Sequence, residues 1–306
     1  MKYYFIVNKE SRSGKGGVIW SIIEPKLQAM DIQMEVFFTE RRGHASKLVQ
    51  AVNELGAECV IVVIGGDGTF NEVMNGISNF DQVSLGYIPA GSGNDLARSL
   101  GLVRDPFKAL EVVMHPKKIQ MLDIGVVTRL GKSRRFVVST GLGFDAAVCH
   151  QSAVSKMKHL LNKLRIGKLT YVGIALGRLF HDPPVTMEVC IDDEAPRVFE
   201  KTYFVTAMNM PYEGGGFKFC PEAKFDDGKL DVIVVSGMSK LRVLRILPTA
   251  FSGKHVGFSG VDVFRCEKVV FRAEKPMMLH VDGEALFLRR QVEVDVLPGR
   301  VRMIMG

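Results

Sequence analysis

The sequence predicts a two-part fold: an α/β, doubly wound N-terminal domain (residues 1–124) followed by a β-rich sandwich C-terminal domain (residues 125–296). The last strand, 297–306, is left open to rejoin the first part. Three observations carry this expectation. The first 125 or so residues alternate apolar β-branched runs with helical patterns, as a parallel sheet covered by helices requires. From Ile119 onward the chain turns to many short strands broken by Gly and Pro, the grammar of a sandwich or distorted barrel. The length, 306 residues, exceeds one ordinary core and suffices for two.

In order, Tyr3 to Val7 reads as a first strand that ends in a polar, Gly-rich turn, Asn8 to Gly17. A helix over Ile19 to Met30 follows, with Pro25 as a blemish, and then a second strand, Met34 to Phe38, with Thr39 and the pair Arg41-Arg42 at its end. A helix from His44 to Leu55 leads to a third strand, Cys59 to Ile64, whose unbroken apolar run marks burial on both faces. That strand breaks on Gly65-Gly66, carries Asp67, turns on Gly68-Thr69 and enters a helix, Thr69 to Ile77. The fourth strand, Ser84 to Ile88, runs into PAGSGNDLARSLG (89–101), where Asn94 or Asp95 can cap the next helix. A helix from Pro106 to Met114 follows. Four strand ends, at Asn8, Thr39, Gly65 and Pro89, thus fall on one edge, where such sheets bind ligands.

Beyond it, strands are predicted at 119–127, 135–140, 185–191, 199–208, 230–235, 269–272, 277–281, 292–296 and 301–304, with the domain boundary near Asp123. One amphipathic helical stretch, 152–180, interrupts them. Lys156, His159 and Lys163 lie across it from an apolar arc, so it either covers the sandwich or rests on an anionic membrane.

Apolar residues make up 47% and charged residues 24%, ordinary for a globular chain. The five cysteines are scattered and odd in number with no CxxC pair, which points to a reducing compartment and excludes a disulfide framework. The apolar run before Lys9 is too short for a signal peptide, and no segment approaches the roughly 20 apolar residues that span a bilayer. A cytoplasmic protein, soluble or peripheral to the membrane, is expected. Charge is uneven: residues 116–180 hold twelve Lys or Arg against Asp123 and Asp145, so the net excess of +7 lies in this segment and suggests an anionic partner.

The chemistry centres on two Gly-rich loops. Gly65, Gly66 and Gly68 around Asp67, and Gly91 and Gly93 around Ser92, let backbone approach a phosphate, and each loop opens a helix whose first N–H groups face it. Far away, HVDGEA sets Asp282 and Glu284 two apart around a glycine, a spacing that can aim both carboxylates at one side, although DGE by itself is a hairpin turn.

GGDGTFNEVMNGI (65–77), PAGSGNDLARSL (89–100), TGLGFDA (140–146), PEAKFDDGKLDV (221–232) and VDGEA (281–285) together resemble the diacylglycerol kinase catalytic family. That family includes the soluble bacterial diacylglycerol kinases and the sphingosine and ceramide kinases. GGDGT by itself also resembles NAD kinases and phosphofructokinases, so the N-terminal domain is expected to be NAD kinase/phosphofructokinase-like.

The resemblance implies ATP, with Gly65, Gly66, Asp67, Gly68, Thr69 and Asn71 wrapping its phosphates, contacts from Thr39, Gly91 and Ser92, and Asn8 as a further candidate. It places Mg²⁺ at Asp67, makes Glu284 the base that takes the acceptor's proton, and gives Asp282 as its helper near Mg²⁺. It also implies a second, structural Mg²⁺ held by the Asp227 side chain and the carbonyls of Lys224 and Lys229, where the lysines depart from the commoner apolar residues. The glycine-rich segment NMPYEGGGFKFCPEA (209–223) matches a cleft-side segment with no assigned catalytic role. The acceptor is a hydroxyl of diacylglycerol or a related lipid at a membrane surface. No nucleic-acid partner is expected, and a homodimer is left open. Two other readings remain: an NAD or other small-molecule kinase, and a nucleotide- or lipid-binding regulator without catalysis.

Overall fold

A computed structural model describes residues 1–129, 131–143 and 182–306. They divide into two units, Met1–Asp123 with Gly299–Gly306, and Ile124–Pro298. The amphipathic stretch 152–180, Cys149 and the end of TGLGFDA lie outside the described residues.

In the first unit, β1 (Lys2–Val7), β2 (Met34–Phe38), β3 (Cys59–Gly65) and β4 (Val83–Pro89) pair in parallel in the order β4-β3-β1-β2. The end of β14 (Glu284–Met305) adds a parallel strand beside β4 through Arg302 and Met303. Five helices connect them: α1 (Ser11–Gln28), α2 (His44–Asn53), α3 (Asp67–Gly76), α4 (Asp95–Ser99) and α5 (Pro106–Met114). Phe5, Val7, Val62 and Ile64 pack with Trp20 and Ile23 of α1 and Leu110 of α5 in one core. Because side chains alternate along a strand, the fully buried Ile6, Ile61 and Val63 turn to the other face. There α2 and α3 pack on each other and on β1 and β3.

The chain steps from β1 out to β2 and then returns to β3 on the other side of β1. Such a reversal opens a crevice at the carboxyl ends of the two strands.

The second unit is β-rich. It holds the end of β5 (Lys118–Arg129), β6 (Lys132–Phe136), β7 (Ser139–Gly143), β8 (Val185–Ile191), β9 (Arg197–Thr202), β10 (Phe204–Met208), β11 (Leu230–Val235), β12 (Val261–Cys266), β13 (Lys268–Val281) and the start of β14. An antiparallel run in the order β12-β11-β10-β7-β13-β14 forms its main sheet; β8 lies along the first part of β13, with β9 beyond it. Phe136, Leu142, Val189, Val205, Val232, Phe271 and Val294 fill its largest core. A short helix, α6 (Lys240–Ile246), and two 3₁₀ turns, Leu247–Ser252 and Lys254–Gly257, follow β11.

Several expected elements differ. The strand expected at 199–208 is two strands split at Tyr203, because β9 pairs with β8 while β10 pairs with β7 and β11. The strands expected at 269–272 and 277–281 are one, β13; Glu274, Lys275 and Pro276 are its exposed stretch, where the register against β14 shifts. Likewise 292–296 and 301–304 belong to one strand, β14. Strand β12 escaped notice because Asp262 and Arg265 interrupt any apolar run. The first loop is shorter than Asn8–Gly17, since α1 starts at Ser11, although Arg12, Ser13 and Gly14 hold left-handed φ values of 48°, 54° and 92° before the regular helix begins.

His255 gives the second unit a pH signature. Its buried ring stands edge-on to Phe219, and its Nε2 lies 3.0 Å from the Phe219 carbonyl. Burial lowers its pKa below the ordinary 6.5. The unfolded chain therefore binds the proton more readily, and this contribution to stability, present above the unfolded value, is lost as pH falls through the folded one. The urea midpoint should drop more steeply on acidification below pH 6.5 in the wild type than in His255→Gln, followed by circular dichroism.

Candidate active site

The crevice of the first unit is built from three strand-end loops that touch. Asn8 at the end of β1 donates its backbone N–H to the Ile64 carbonyl (2.9 Å), and its side-chain amide donates to Thr69 Oγ1 (2.9 Å). The β3 and β4 loops meet backbone to backbone. A Cβ on Gly91 would stand 2.6 Å from the Gly66 Cα and 2.7 Å from Asn94 Oδ1, and one on Gly65 would fall 2.7 Å from the Thr69 Cβ. Only glycine permits this approach. Gly68 has nothing within 4 Å of a built Cβ and faces open space.

Asp67 opens α3 and ties the loops together. Its Oδ2 accepts the backbone N–H of Asp95 (2.9 Å), and its Oδ1 lies 3.4 Å from the Tyr87 hydroxyl, which is also 3.3 Å from the Gly65 carbonyl. Burial, and then the Asp67 charge, push the Tyr87 phenol well above its usual pKa, so it remains a neutral donor. The cap on α4 therefore comes from Asp67. Asn94, one of the two residues expected to cap it, instead holds φ 52° and donates its side-chain amide to the Gly91 carbonyl (3.0 Å). Ser92 is exposed on the loop, and Thr39 is half-buried just past β2, its N–H donating to the Val7 carbonyl (2.9 Å). Asn71 is buried inside α3, accepting from the Asn75 amide (3.2 Å), so it stands behind the loop.

Three residues of this neighbourhood escaped the sequence reading. Glu72 accepts the N–H groups of Gly43 (2.8 Å) and Ala45 (3.2 Å), capping α2 and fixing the loop after Thr39. Tyr87 braces Asp67, and Arg98 pairs with Asp95. Glu72 lay in plain view in GGDGTFNE, but the partner loop it caps is 27 to 29 positions away.

In the second unit Asp282 and Gly283 form the two-residue turn between β13 and β14, with φ of 47° and 74°, as a type I′ hairpin requires. The Asp282 carboxylate accepts three backbone N–H groups in a row, from Val137 (2.9 Å), Val138 (2.8 Å) and Ser139 (3.0 Å). Its own N–H donates to the Ser139 carbonyl (2.9 Å). Asp282 thus anchors the hairpin tip to the β6–β7 turn. Glu284, directly after it, pairs with Arg134, another residue that no motif revealed. Behind the tip, the Asn209 amide donates to the Val137 carbonyl (2.9 Å), and buried His280 lies 3.4 Å from Glu213.

The loop at 224–229 is tied up in another way. Asp227 Oδ1 accepts the Lys229 N–H (3.1 Å), while its Oδ2 lies 3.7 Å from Arg265 Nη1. Arg265 also reaches Asp231 (3.5 Å) and the Glu222 carbonyl (2.9 Å). Burial raises the Asp231 pKa, which Arg265 opposes and Asp227 reinforces. A guanidinium thus already balances the acids here, and the residues do not fit a resident Mg²⁺ as well as the motif implies.

The glycine contrast is measurable. Gly91→Ala should cost on the order of 1–3 kcal/mol through overpacking, whereas Gly68→Ala should leave stability unchanged or slightly raised, both read from denaturant unfolding.

Comparison with known proteins gives the family and the fold. Residues 2–127 match the model of the diacylglycerol kinase catalytic domain, and residues 137–305 match that of the YegS C-terminal NAD kinase beta sandwich-like domain. A Mycobacterium tuberculosis protein named diacylglycerol kinase is 30% identical over 263 residues, 85% of this chain and 81% of that one. A Bacillus subtilis protein named "Putative lipid kinase YtlR" is 28% identical over 294 residues, 93% of each chain. A crystal structure of a "putative diacylglycerol kinase" from Bacillus anthracis superposes with a TM-score of 0.76 at 22% identity, over 100% of this chain and 95% of that one, which shows the shared fold. The α/β catalytic part and the β-sandwich part are both present, and the chain belongs to the diacylglycerol kinase catalytic-domain family of lipid kinases.

Proposed function

We propose that this kinase transfers the γ-phosphate of ATP to a hydroxyl of diacylglycerol or a closely related lipid. The observation that carries the assignment is Asp67, an acid held between two touching Gly-rich loops at the crevice where the sheet order reverses. Phosphoryl transfer leaves a protein little covalent chemistry; positioning and charge do the rest. Gly65, Gly66, Gly68, Thr69, Gly91 and Ser92 receive the phosphates, with Asn8 and Thr39 at the adjoining strand ends and Asn71 supporting α3 from behind.

The residues around Asp67 suit a nucleotide-borne Mg²⁺. The Tyr87 hydroxyl and the Asp95 N–H donate to its two oxygens and orient the carboxylate. Mg²⁺ commonly takes one or two carboxylates plus phosphate oxygens and, when bound, offsets charge on those oxygens. Glu284 accepts the acceptor hydroxyl's proton as the new P–O bond forms, and Asp282 acts as a positioning residue by fixing the hairpin on which Glu284 stands. The 224–229 loop takes its cation from Arg265. Among the described residues no helix is long and apolar enough to cross a membrane; the acceptor lipid is taken from a membrane surface.

Glu284→Ala should abolish lipid phosphorylation while nucleotide affinity, read by calorimetry, stays within about two-fold, because the base acts on the acceptor's proton. Wild-type turnover in that variant would remove Glu284 from the role. ATP consumption over a panel of lipids and NAD, with mass spectrometry of the product, identifies the acceptor; phosphorylated NAD in place of a phosphorylated lipid would favour the NAD kinase reading. For the second metal, EDTA should leave the wild-type melting temperature unchanged, whereas Arg265→Met, which uncovers Asp227 and Asp231, should become more stable on adding Mg²⁺. A fall of the wild-type melting temperature in EDTA would restore the structural Mg²⁺.

A further inference from the structure

One face of the second unit is both apolar and cationic and has no part in the chemistry above. Between Asp231 and Asp262 the chain carries Lys240, Arg242, Arg245 and Lys254 and not a single acid. In the same run Leu241 (70%), Phe251 (46%), Val256 (39%) and Phe258 (41%) are exposed. Helix α6 and the two 3₁₀ turns pack consecutively on one another, which gathers these side chains into one region. Val243 and Ile246 turn inward to the core beside Phe204 and Ile233, so the opposite side of α6 presents Leu241, Arg242 and Arg245.

The outer aromatics are propped from below. Phe251 stacks on Phe217 at 4.1 Å, and Phe217 stacks on Phe219 at 5.4 Å. Exposed apolar groups clustered in this way mark an interaction surface. A protein partner would meet the apolar side chains but has no general need of one-signed charge, and a nucleic acid would meet the charge but leave the apolar side chains without a partner. An anionic bilayer offers both, phosphates at the level of the cations and acyl chains beneath them.

We propose that the face formed by residues 240–258 docks this chain on anionic lipid membranes, with Leu241, Phe251 and Phe258 entering the acyl boundary and Arg242, Arg245 and Lys254 at the headgroup phosphates. The proposal deepens the lipid-kinase reading and rests on it for its purpose, since the acceptor lies in that membrane. Packed groups of the same unit lead from this face toward the hairpin. Phe217 exchanges backbone hydrogen bonds with Glu213, and Glu213 lies 3.4 Å from His280, two residues before Asp282.

The test uses the full chain in sedimentation with phosphatidylcholine vesicles prepared with and without phosphatidylglycerol. Two double variants alter exposed side chains, Leu241→Ser with Phe258→Ser and Arg242→Glu with Arg245→Glu, and thermal unfolding confirms that each is folded. The wild type should bind the anionic vesicles, and each double variant should lose at least about ten-fold in partition coefficient. Phosphorylation of a short-chain diacylglycerol dispersed in detergent should stay within about two-fold of wild type in both, because neither pair touches the reacting groups.

Equal vesicle binding by variants and wild type would overturn the proposal. So would a wild type that ignores anionic vesicles, or one that dimerises through this face without binding them. If vesicles are bound as expected but no lipid is phosphorylated, the kinase assignment falls and the docking face stands.

Discussion

The contact on which the first unit depends is the meeting of two backbones at Gly66 and Gly91. Neighbouring parallel strands lie about 4.8 Å apart, and the loops leaving β3 and β4 would diverge if either bore a side chain at the point of contact. With hydrogen there instead, the two loops converge, and the first N–H of α4 comes within 2.9 Å of the Asp67 carboxylate. One acid then serves two helices: it opens α3 in sequence and caps α4 in space. Tyr87 below and Asn8 beside it complete the arrangement through Asp67 and Thr69. A ligand phosphate entering this crevice meets fixed dipoles with little reorganisation to make, which is the form of stabilisation that phosphoryl transfer most needs.

Much of this was legible in the chain because its signals are local. An apolar run such as Cys59–Gly65 states its own burial, and a glycine pair states its own turn. The expectation that Asn94 or Asp95 caps α4 failed for the same reason. Local chemistry offers Asn94 and Asp95 as caps for α4, but the group that wins is Asp67, 28 positions earlier, because the loops are already in contact. In the second unit the gap left between the strands expected at 269–272 and 277–281 is a bulged, exposed stretch of β13, Glu274 to Pro276. Polarity reports exposure, and on a strand with one exposed stretch exposure is not the same as reversal of the chain.

What could not be read is the identity of long-range neighbours. Asp282 was expected as the helper of Glu284, and its carboxylate is engaged by three consecutive N–H groups some 143 to 145 positions away. Such a clamp uses ordinary Val, Val and Ser through their backbones, so no residue type advertises it. Arg265 is equally silent in sequence, although it stands beside both Asp227 and Asp231. A motif names the residue that reaches the chemistry but not the counter-charge that tunes it, because counter-charges are supplied by whichever strand happens to lie alongside.

Arg134 poses the remaining question, since a carboxylate paired with a guanidinium is a weaker base than one left alone. Both side chains are between a fifth and a third exposed, 29% and 24%. Water therefore screens the pair, and its energetic hold is slight. What the pair does supply is direction, because a guanidinium donates along fixed lines and leaves a carboxylate few orientations. Direction is also what this reaction asks of its base. An alcohol is a far weaker acid than any carboxylic acid, so the proton cannot leave before bonding to phosphorus has begun. In the proposed role, Glu284 stands on a hairpin tip clamped by three backbone N–H groups, steered by one arginine and still partly wet, which suits a base that accepts its proton late.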